Sequence, residues 1–467
     1  MKGFLKKATI AVFANIVSLL VSTIVVFLVP KSISVAEYGF FQLYIFYSGY
    51  IGFLNFGWPE GIMLRYGGKK YNELDKNGLK TEVLLFSLMT SIVGSILVLI
   101  ALFQNDANMT NVIIGVGLCI IIYLPRVFMQ TIIHMTGRVN EYSKSIIIEK
   151  TLYLLIVVLL LLLKVKDFKY YVMADLIGRL IALTYIAYES RDIIKSKSVP
   201  INKQIKEIKT NISVGIKLML ANLAGLFIIG IVRQCIKSNW DIETFAKISL
   251  ILSISNMLIV CIRAVAVVLF PYLKRIDKGL LNKIYKSIRI CLIVPLFAML
   301  IFYYPIKEIM VRWLPNYIDS LNYMFLLFPI CIYEAKTSLL IETFMKTLRL
   351  EKKMLMVNII TVVLSFTMSY IFVFVLNNLI LSVFSILMLV AIRCILSEIF
   401  LSKSINIKLT KDIIIELIMV LMFIILNWKI GGIIGFVLYI LLFCIFVICN
   451  NKDIRQSLMN LKGLKVD

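Results

Sequence analysis

The sequence predicts an all-α membrane protein of about 14 transmembrane helices. Three patterns carry that expectation. Apolar stretches of about 17 to 26 residues follow one another through a chain of 467 residues. The loops between them alternate between crowded and nearly empty of Lys and Arg. The first six stretches recur, similarly spaced, as stretches seven to twelve. Composition agrees, since 61% hydrophobic and 16% charged residues exclude an ordinary soluble domain. Backbone polar groups in lipid must satisfy one another, so spans of this length are helices.

The first span runs over residues 8–29. Lys2, Lys6 and Lys7 before it imitate a secretory signal, but the run is too long and Val29-Pro30-Lys31 offers no small-residue cleavage site, so it is expected to be retained. The following spans are placed at 38–63, 83–103, 112–134, 146–163 and 169–188. After a basic linker, 191–211, come 213–236, 245–270, 288–305, 321–345, 355–376 and 379–401. Two more, 411–427 and 431–449, fall outside the repeat. The domains expected are thus a six-helix bundle over 1–190, the linker, a second bundle over 212–402, and an appendage with a tail over 403–467.

A shift of 207 residues carries Asn15 onto Asn222, Val25 onto Val232 and Tyr38-Gly39 onto Phe245-Ala246. Thr136-Gly137-Arg138 answers Thr347-Leu348-Arg349 after spans four and ten. Six is even, so the halves share one orientation, as parallel repeats that enclose a cleft do. Loops on one side hold about 33 Lys and Arg against about nine on the other, which places both termini in the cytoplasm. The same asymmetry accounts for the net charge of +24 through topology and anionic headgroups, without a nucleic-acid partner.

The eight cysteines lie in or at the ends of apolar segments, none in a CxxC spacing, and read as small packing residues. His134 is the sole histidine, so neither a metal site nor a bound cofactor is expected. No P-loop motif is present, and direct ATP hydrolysis is not expected.

Arg126, Lys150, Arg179, Lys217, Arg233, Arg263, Lys336 and Arg393 remain inside spans, where a charge costs on the order of 3 kcal/mol or more near the centre unless it faces protein or water. Asp175 and Arg179 stand one turn apart and form a candidate pair; Glu342 and Lys346 share that spacing. Glu334 and Lys336 point to different faces, and Arg393 is poorly spaced for Glu398. Arg65, Arg126, Lys217 and Arg263 fall in the inner halves of their spans or at the inner boundary, so they either form a basic wall suited to phosphate or pair with acids such as Glu60 on other helices. Span two also carries Tyr44, Tyr47 and Tyr50, then Asn55-Phe56-Gly57-Trp58-Pro59-Glu60-Gly61, where Pro59 and two glycines can break the helix. Tyr47 and its neighbours suit a sugar or a membrane interface equally.

From Val29-Pro30-Lys31 through Glu37-Tyr38-Gly39-Phe40-Phe41 to Phe56-Gly57-Trp58-Pro59-Glu60-Gly61 and Leu64-Arg65-Tyr66-Gly67-Gly68, with Leu348-Arg349-Leu350-Glu351 beyond, the sequence resembles bacterial polysaccharide flippases. These are the Wzx-type translocases of O-antigen and capsule repeat units, in the superfamily that includes multidrug and toxin extrusion proteins. The resemblance implies two six-helix bundles in a V around a central cavity, moving undecaprenyl-pyrophosphate-linked oligosaccharide across the cytoplasmic membrane by alternating access. The partners it implies are that lipid-linked oligosaccharide, membrane lipids, and polysaccharide polymerase and assembly proteins. The cavity-lining helices of the family correspond here to those with Asn15, Glu60, Arg65, Lys217, Asn222, Arg233 and Arg263. Glu60, Asp175 and Glu334 are candidates for ion coupling, and no residue is expected to be catalytic. A peptidoglycan-precursor flippase, a multidrug exporter of the same fold and a membrane glycan polymerase remain as alternatives.

Overall fold

The computed structural model describes the backbone of residues 2–273 and 281–462 and the side chains of residues 9–257 and 281–460. These residues are helical throughout, with no strand among them. The chain is a multi-pass membrane protein: eleven helices among the described residues are long and apolar enough to cross a bilayer. The sequence suggested about 14 spans. The difference has local causes, because span two is interrupted, span thirteen carries Lys411, Asp412 and Glu416, and span eight passes beyond the described side chains. Two compact units divide the chain at Leu226 and Phe227.

The first unit begins with α1 (Lys2–Ser32), α2 (Val35–Ser48) and α3 (Trp58–Tyr66). Between α2 and α3 lies a 3-10 turn, Ile51–Asn55, followed by Phe56 and Gly57 at φ of 49° and 75°. Two successive left-handed residues cannot continue a helix, so span two is broken, and Pro59 sits harmlessly in the first turn of α3. α4 (Lys76–Ala101), α5 (Ala107–Met135), α6 (Val139–Leu162), α7 (Phe168–Glu189) and the short α8 (Arg191–Ile194) follow. Asp75, Asp106 and Asp167 cap α4, α5 and α7 by accepting hydrogen bonds from backbone N–H groups of the first turn. α5 packs against α2, α3, α4 and α7 and is the core of the unit, with 61% of its most apolar stretch buried. α9 (Ile201–Asn239) runs unbroken across the division at residue 226.

The second unit holds α10 (Ile242–Leu273), α11 (Leu281–Ile301), α12 (Tyr303–Trp313), α13 (Ile318–Leu321), α14 (Met324–Leu327), α15 (Ile330–Lys336), α16 (Glu342–Thr347), α17 (Glu351–Ser369) and α18 (Leu379–Ser404). Asp241 caps α10; the Thr244 N–H donates to its carboxylate at 2.7 Å, and these bonds hold the acid below the usual carboxylate range. A π-turn, Thr337–Ile341, links α15 to α16, and 89% of the most apolar part of Met324–Thr347 is buried, so span ten is the core here as span four is in the first unit. Thr136 and Thr347, at the ends of spans four and ten, each return a hydroxyl to the carbonyl four residues back, at 3.0 and 2.8 Å.

α19 (Thr410–Lys429), α20 (Gly432–Cys449) and α21 (Asn451–Lys462) complete the chain. Tyr304 Oη donates to the Gly435 carbonyl at 2.9 Å and Tyr439 Oη to that of Phe297 at 3.0 Å, which fastens α20 to α11 and α12.

The closest backbone approach in the first unit is the crossing of α3 and α9. A Cβ on Gly61 would lie 1.8 Å from the Asn211 carbonyl oxygen, and one on Gly215 would lie 1.9 Å from that of Gly57. Gly57 and Gly61, four apart, face Gly215 of α9 and let the backbones touch, as small residues do in membrane helix pairs generally. Gly61→Ala is therefore expected to separate the helices and lower the thermal midpoint of the detergent-solubilised protein, overpacking being worth typically about 1–3 kcal/mol. Gly52→Ala, with open space around its Cβ, should leave the midpoint within a degree or two of the parent in the same melt, about the shift of a change under 0.5 kcal/mol.

Candidate functional site

Below the glycine crossing, α3, α4 and α9 bring their polar residues together. Glu82 of α4 is almost fully buried and accepts from Trp58 Nε1 at 2.7 Å, Gln204 Nε2 at 2.8 Å and Asn211 Nδ2 at 2.9 Å. Among the described residues no cation touches it. Three neutral donors satisfy this carboxylate, as a buried charge requires. Asn211 passes the arrangement on, its Oδ1 accepting from Arg65 Nη1 at 2.5 Å. Arg65 Nη2 meets Glu207 at 2.7 Å, and Tyr66 Oη donates to the same carboxylate at 3.3 Å.

Arg65, Tyr66, Glu82, Gln204 and Glu207 line a cleft of about 410 Å³ that also takes in Lys69, Glu73 and Asp75. Arg65 is held on two sides in an orientation fixed by its partners, and the Glu207 side chain is 43% exposed. A guanidinium paired to a solvent-exposed carboxylate can exchange it for a phosphate at little net loss.

The other predicted residues are dispersed. Lys217, Asn15 and Asn222 are exposed on their spans, and no ion pair engages Lys217 among the described residues. Glu60 is half-buried on α3, one carboxylate oxygen enclosed with no hydrogen-bond partner among the described residues. Tyr47 is half-buried with its ring 5.4 Å from that of Phe46. Arg233 donates to Ser249 Oγ at 2.9 Å and lies over the Phe245 ring at 5.2 Å. The side chains of Arg263 and Cys261 lie outside those described.

Three predicted charges are neutralised inside the protein. Arg126 is buried in contact with Glu149, which also pairs with Lys150 at 3.1 Å. Asp175 and Arg179 form the pair their spacing predicts, at 2.7 Å, and Tyr44 Oη donates to the same Asp175 oxygen at 2.7 Å. Glu334 accepts from Arg393 at 3.2 Å, and Arg393 also reaches Glu342 at 2.9 Å and Asn358 at 3.0 Å. That explains its indifference to Glu398.

Glu398 belongs to a second charge cluster, which the sequence concealed. Lys336 Nζ lies 2.5 Å from both Glu398 and Glu416, all three fully buried or nearly so. Arg289 of α11 bridges the same two acids, 2.8 Å from Glu398 and in direct contact with Glu416. Tyr285 Oη donates to Glu398 at 2.9 Å. Two cations meet two buried carboxylates, and the partly exposed Asp412 lies 3.8 Å from Arg289 at the edge, so the cluster is a structural clasp that binds α19 to α11, α15 and α18. Arg289 stands at the start of the span expected at 288–305, and Asp412 and Glu416 are acids inside the span expected at 411–427, a position that signals buried partners. The seven cysteines with described side chains are free, and His134 stacks on Tyr142 with ring centres 4.4 Å apart.

No family model matches the chain, and no curated protein matches it in sequence. Solved structures do match in fold. The lipid II flippase MurJ in an inward closed conformation superposes with a TM-score of 0.70 at 13% identity, over 96% of this chain and 100% of that one. An inward-facing multidrug resistance transporter of the MATE family, in the MOP superfamily, gives 0.62 at 13% identity over 84% and 98%. A MOP superfamily transporter from Pyrococcus furiosus gives 0.50 at 14% identity over 86% and 96%. The fold is thus the one these transporters share.

Removing one member of the buried clasp strands the others. Glu416→Ala should destabilise the protein by about 3–5 kcal/mol, read as a large drop in thermal midpoint or loss of the monodisperse peak on size exclusion. Lys307→Ala, at a half-exposed lysine of α12 with no ion pair among the described residues, should behave as the parent in both measurements.

Proposed function

We propose that this protein is a flippase for undecaprenyl-pyrophosphate-linked oligosaccharide, carrying repeat units across the cytoplasmic membrane by alternating access, with both termini in the cytoplasm. The fold shared with flippases and exporters supports a transporter. One observation carries the choice of an anionic head: Arg65 beside its open cleft and Lys217 lie on the faces of α3 and α9 without a buried counter-charge, while the fully buried acids Glu82, Glu149, Asp175, Glu398 and Glu416 are all engaged and only the half-buried Glu60 has an unpartnered oxygen. An exporter of organic cations needs the reverse, free carboxylates. The cluster of Arg65, Glu207 and Asn211 offers a guanidinium whose exposed partner a pyrophosphate can replace, and Lys217 adds a second charge further along α9. Exposed Asn15 and Asn222 supply hydrogen bonds for a hydrated sugar, which loses several kcal/mol for each one left unmade in an apolar medium.

Moving two negative charges outward is favoured by an inside-negative potential by about 2.3 kcal/mol per charge per 100 mV. Of the three acids considered for ion coupling, Glu60 is the one without an ionic partner among the described residues, and it is the coupling candidate.

A peptidoglycan precursor is the second reading, favoured by the full-length superposition on the lipid II flippase, which takes in the helices beyond the twelve-helix repeat. Its head is also anionic and glycosylated, so the cationic site suits it too.

The purified chain in liposomes should expose a polyprenyl-pyrophosphate oligosaccharide to an external glycosidase faster than protein-free vesicles, and faster still when the field favours moving negative charge toward that surface. Lys217→Ala should slow that exposure by roughly tenfold, the loss of one charge-assisted contact. Equal rates with and without protein would dismiss the proposal. Faster exposure of a peptidoglycan precursor than of the oligosaccharide would favour the second reading.

A further inference from the structure

α9 is too long for a membrane. Its 39 residues extend about 58 Å, against a hydrocarbon core of about 30 Å. The surplus lies at its N-terminal end, where Asn202, Lys203, Gln204, Lys206, Glu207 and Lys209 precede the apolar stretch. Residues from about 201 to 212 therefore sit at headgroup depth.

One face of that segment is unlike the rest of the unit. Ile205, Lys206, Lys209, Thr210, Ser213 and Val214 bound a shallow groove of about 440 Å³. Its chemistry is graded along the helix. Lys206 and Lys209 stand one turn apart at the upper end, with Cβ atoms about 5–6 Å from each other. Among the described residues neither ammonium forms an ion pair, and the adjacent Glu207 is engaged by Arg65 and Tyr66. Thr210 and Ser213 add hydroxyls one turn further in. Ile201 and Ile205, 50% and 44% exposed, and then Val214 and Leu220 at 39% and 40%, offer apolar surface on either side of the cations. Two isoleucines exposed beside free lysines are poorly placed in water, and well placed against acyl chains.

From this gradient we infer that the groove on α9 binds an anionic phospholipid, its phosphodiester between Lys206 and Lys209, its glycerol near Thr210 and Ser213, and an acyl chain against Val214, short of the exposed Lys217 one turn further along. The inference is independent of what the protein transports. A zwitterionic lipid carries a choline or ethanolamine cation that the two ammonium groups repel, so the site discriminates by headgroup charge. Each lysine near a charged membrane surface contributes enough that losing both weakens binding by tenfold or more.

The test uses the full-length protein in neutral detergent, with bound lipid counted by native mass spectrometry during titration with dioleoylphosphatidylglycerol or dioleoylphosphatidylcholine. The parent should retain the anionic lipid about tenfold better. The exposed double variant Lys206→Gln/Lys209→Gln should lose that preference, while Lys195→Gln/Lys197→Gln, which removes the same charge from the neighbouring linker, should keep it. Val214→Asn should weaken retention of the diacyl lipid. Equal retention of the two lipids, or equal loss in both double variants, would refute the groove and leave only diffuse attraction. Displacement of the lipid by glycerol 1-phosphate at equal concentration would refute it in favour of a soluble-anion site. Mole-for-mole displacement by undecaprenyl pyrophosphate would refute it as well, assigning the face to transported substrate.

Discussion

The absence of water from the bilayer interior governs this structure: a charge placed there must find its opposite within the protein. Lys336 shows the rule in full, enclosed completely and touching two carboxylates, Glu398 and Glu416, that arrive from two other helices. Because Arg289 completes the square, helices α11, α15, α18 and α19 are fixed by a single electrostatic requirement. Arg126 with Glu149, and Arg179 with Asp175, impose the same order on α5, α6 and α7. Such pairs add little net stability over apolar packing, but a helix that shifts by one residue breaks them, and they therefore enforce a unique arrangement.

Against that background the unneutralised groups stand out. Arg65 is oriented by a relay that runs from the Glu82 carboxylate through the Asn211 amide to the guanidinium, and shares its charge with a carboxylate open to solvent. Lys206, Lys209 and Lys217 lie on exposed faces of α9. The protein thus keeps two populations of charge, one cancelled inside the helices and one displayed on α3 and α9, and the transport of anionic lipid-linked substrates proposed above draws on Arg65 and Lys217 of the second.

Much of the architecture was legible in the sequence because span length and loop charge are set by the bilayer, which imposes the same ruler on every helix. The break in span two was signalled by Gly57, Pro59 and Gly61, and the pairing of Asp175 with Arg179 by helical spacing. The spacing of the spans was visible in the sequence, whereas the high burial of spans four and ten was not. Hidden from the sequence were contacts between distant helices. Glu82 meets residues 24, 122 and 129 positions away, and Lys336 finds its acids 62 and 80 positions on, where no periodicity points. Gly215 gave no sign that it faces Gly57, because a glycine in a span has many uses.

The uninterrupted course of α9 past residue 226 bears on how the polypeptide can be divided. Severing it at the boundary between compact units would cut through helical hydrogen bonds and strip the first fragment of part of a helix that begins among its own residues. Two fragments meant to reassemble in a cell are better parted in the exposed stretch between Ile194 and Ile201, ahead of the helix, so that α9 enters the bilayer whole with the second fragment and finds its glycine partner on α3 by docking. Cleavage sites for a split reporter belong there for the same reason.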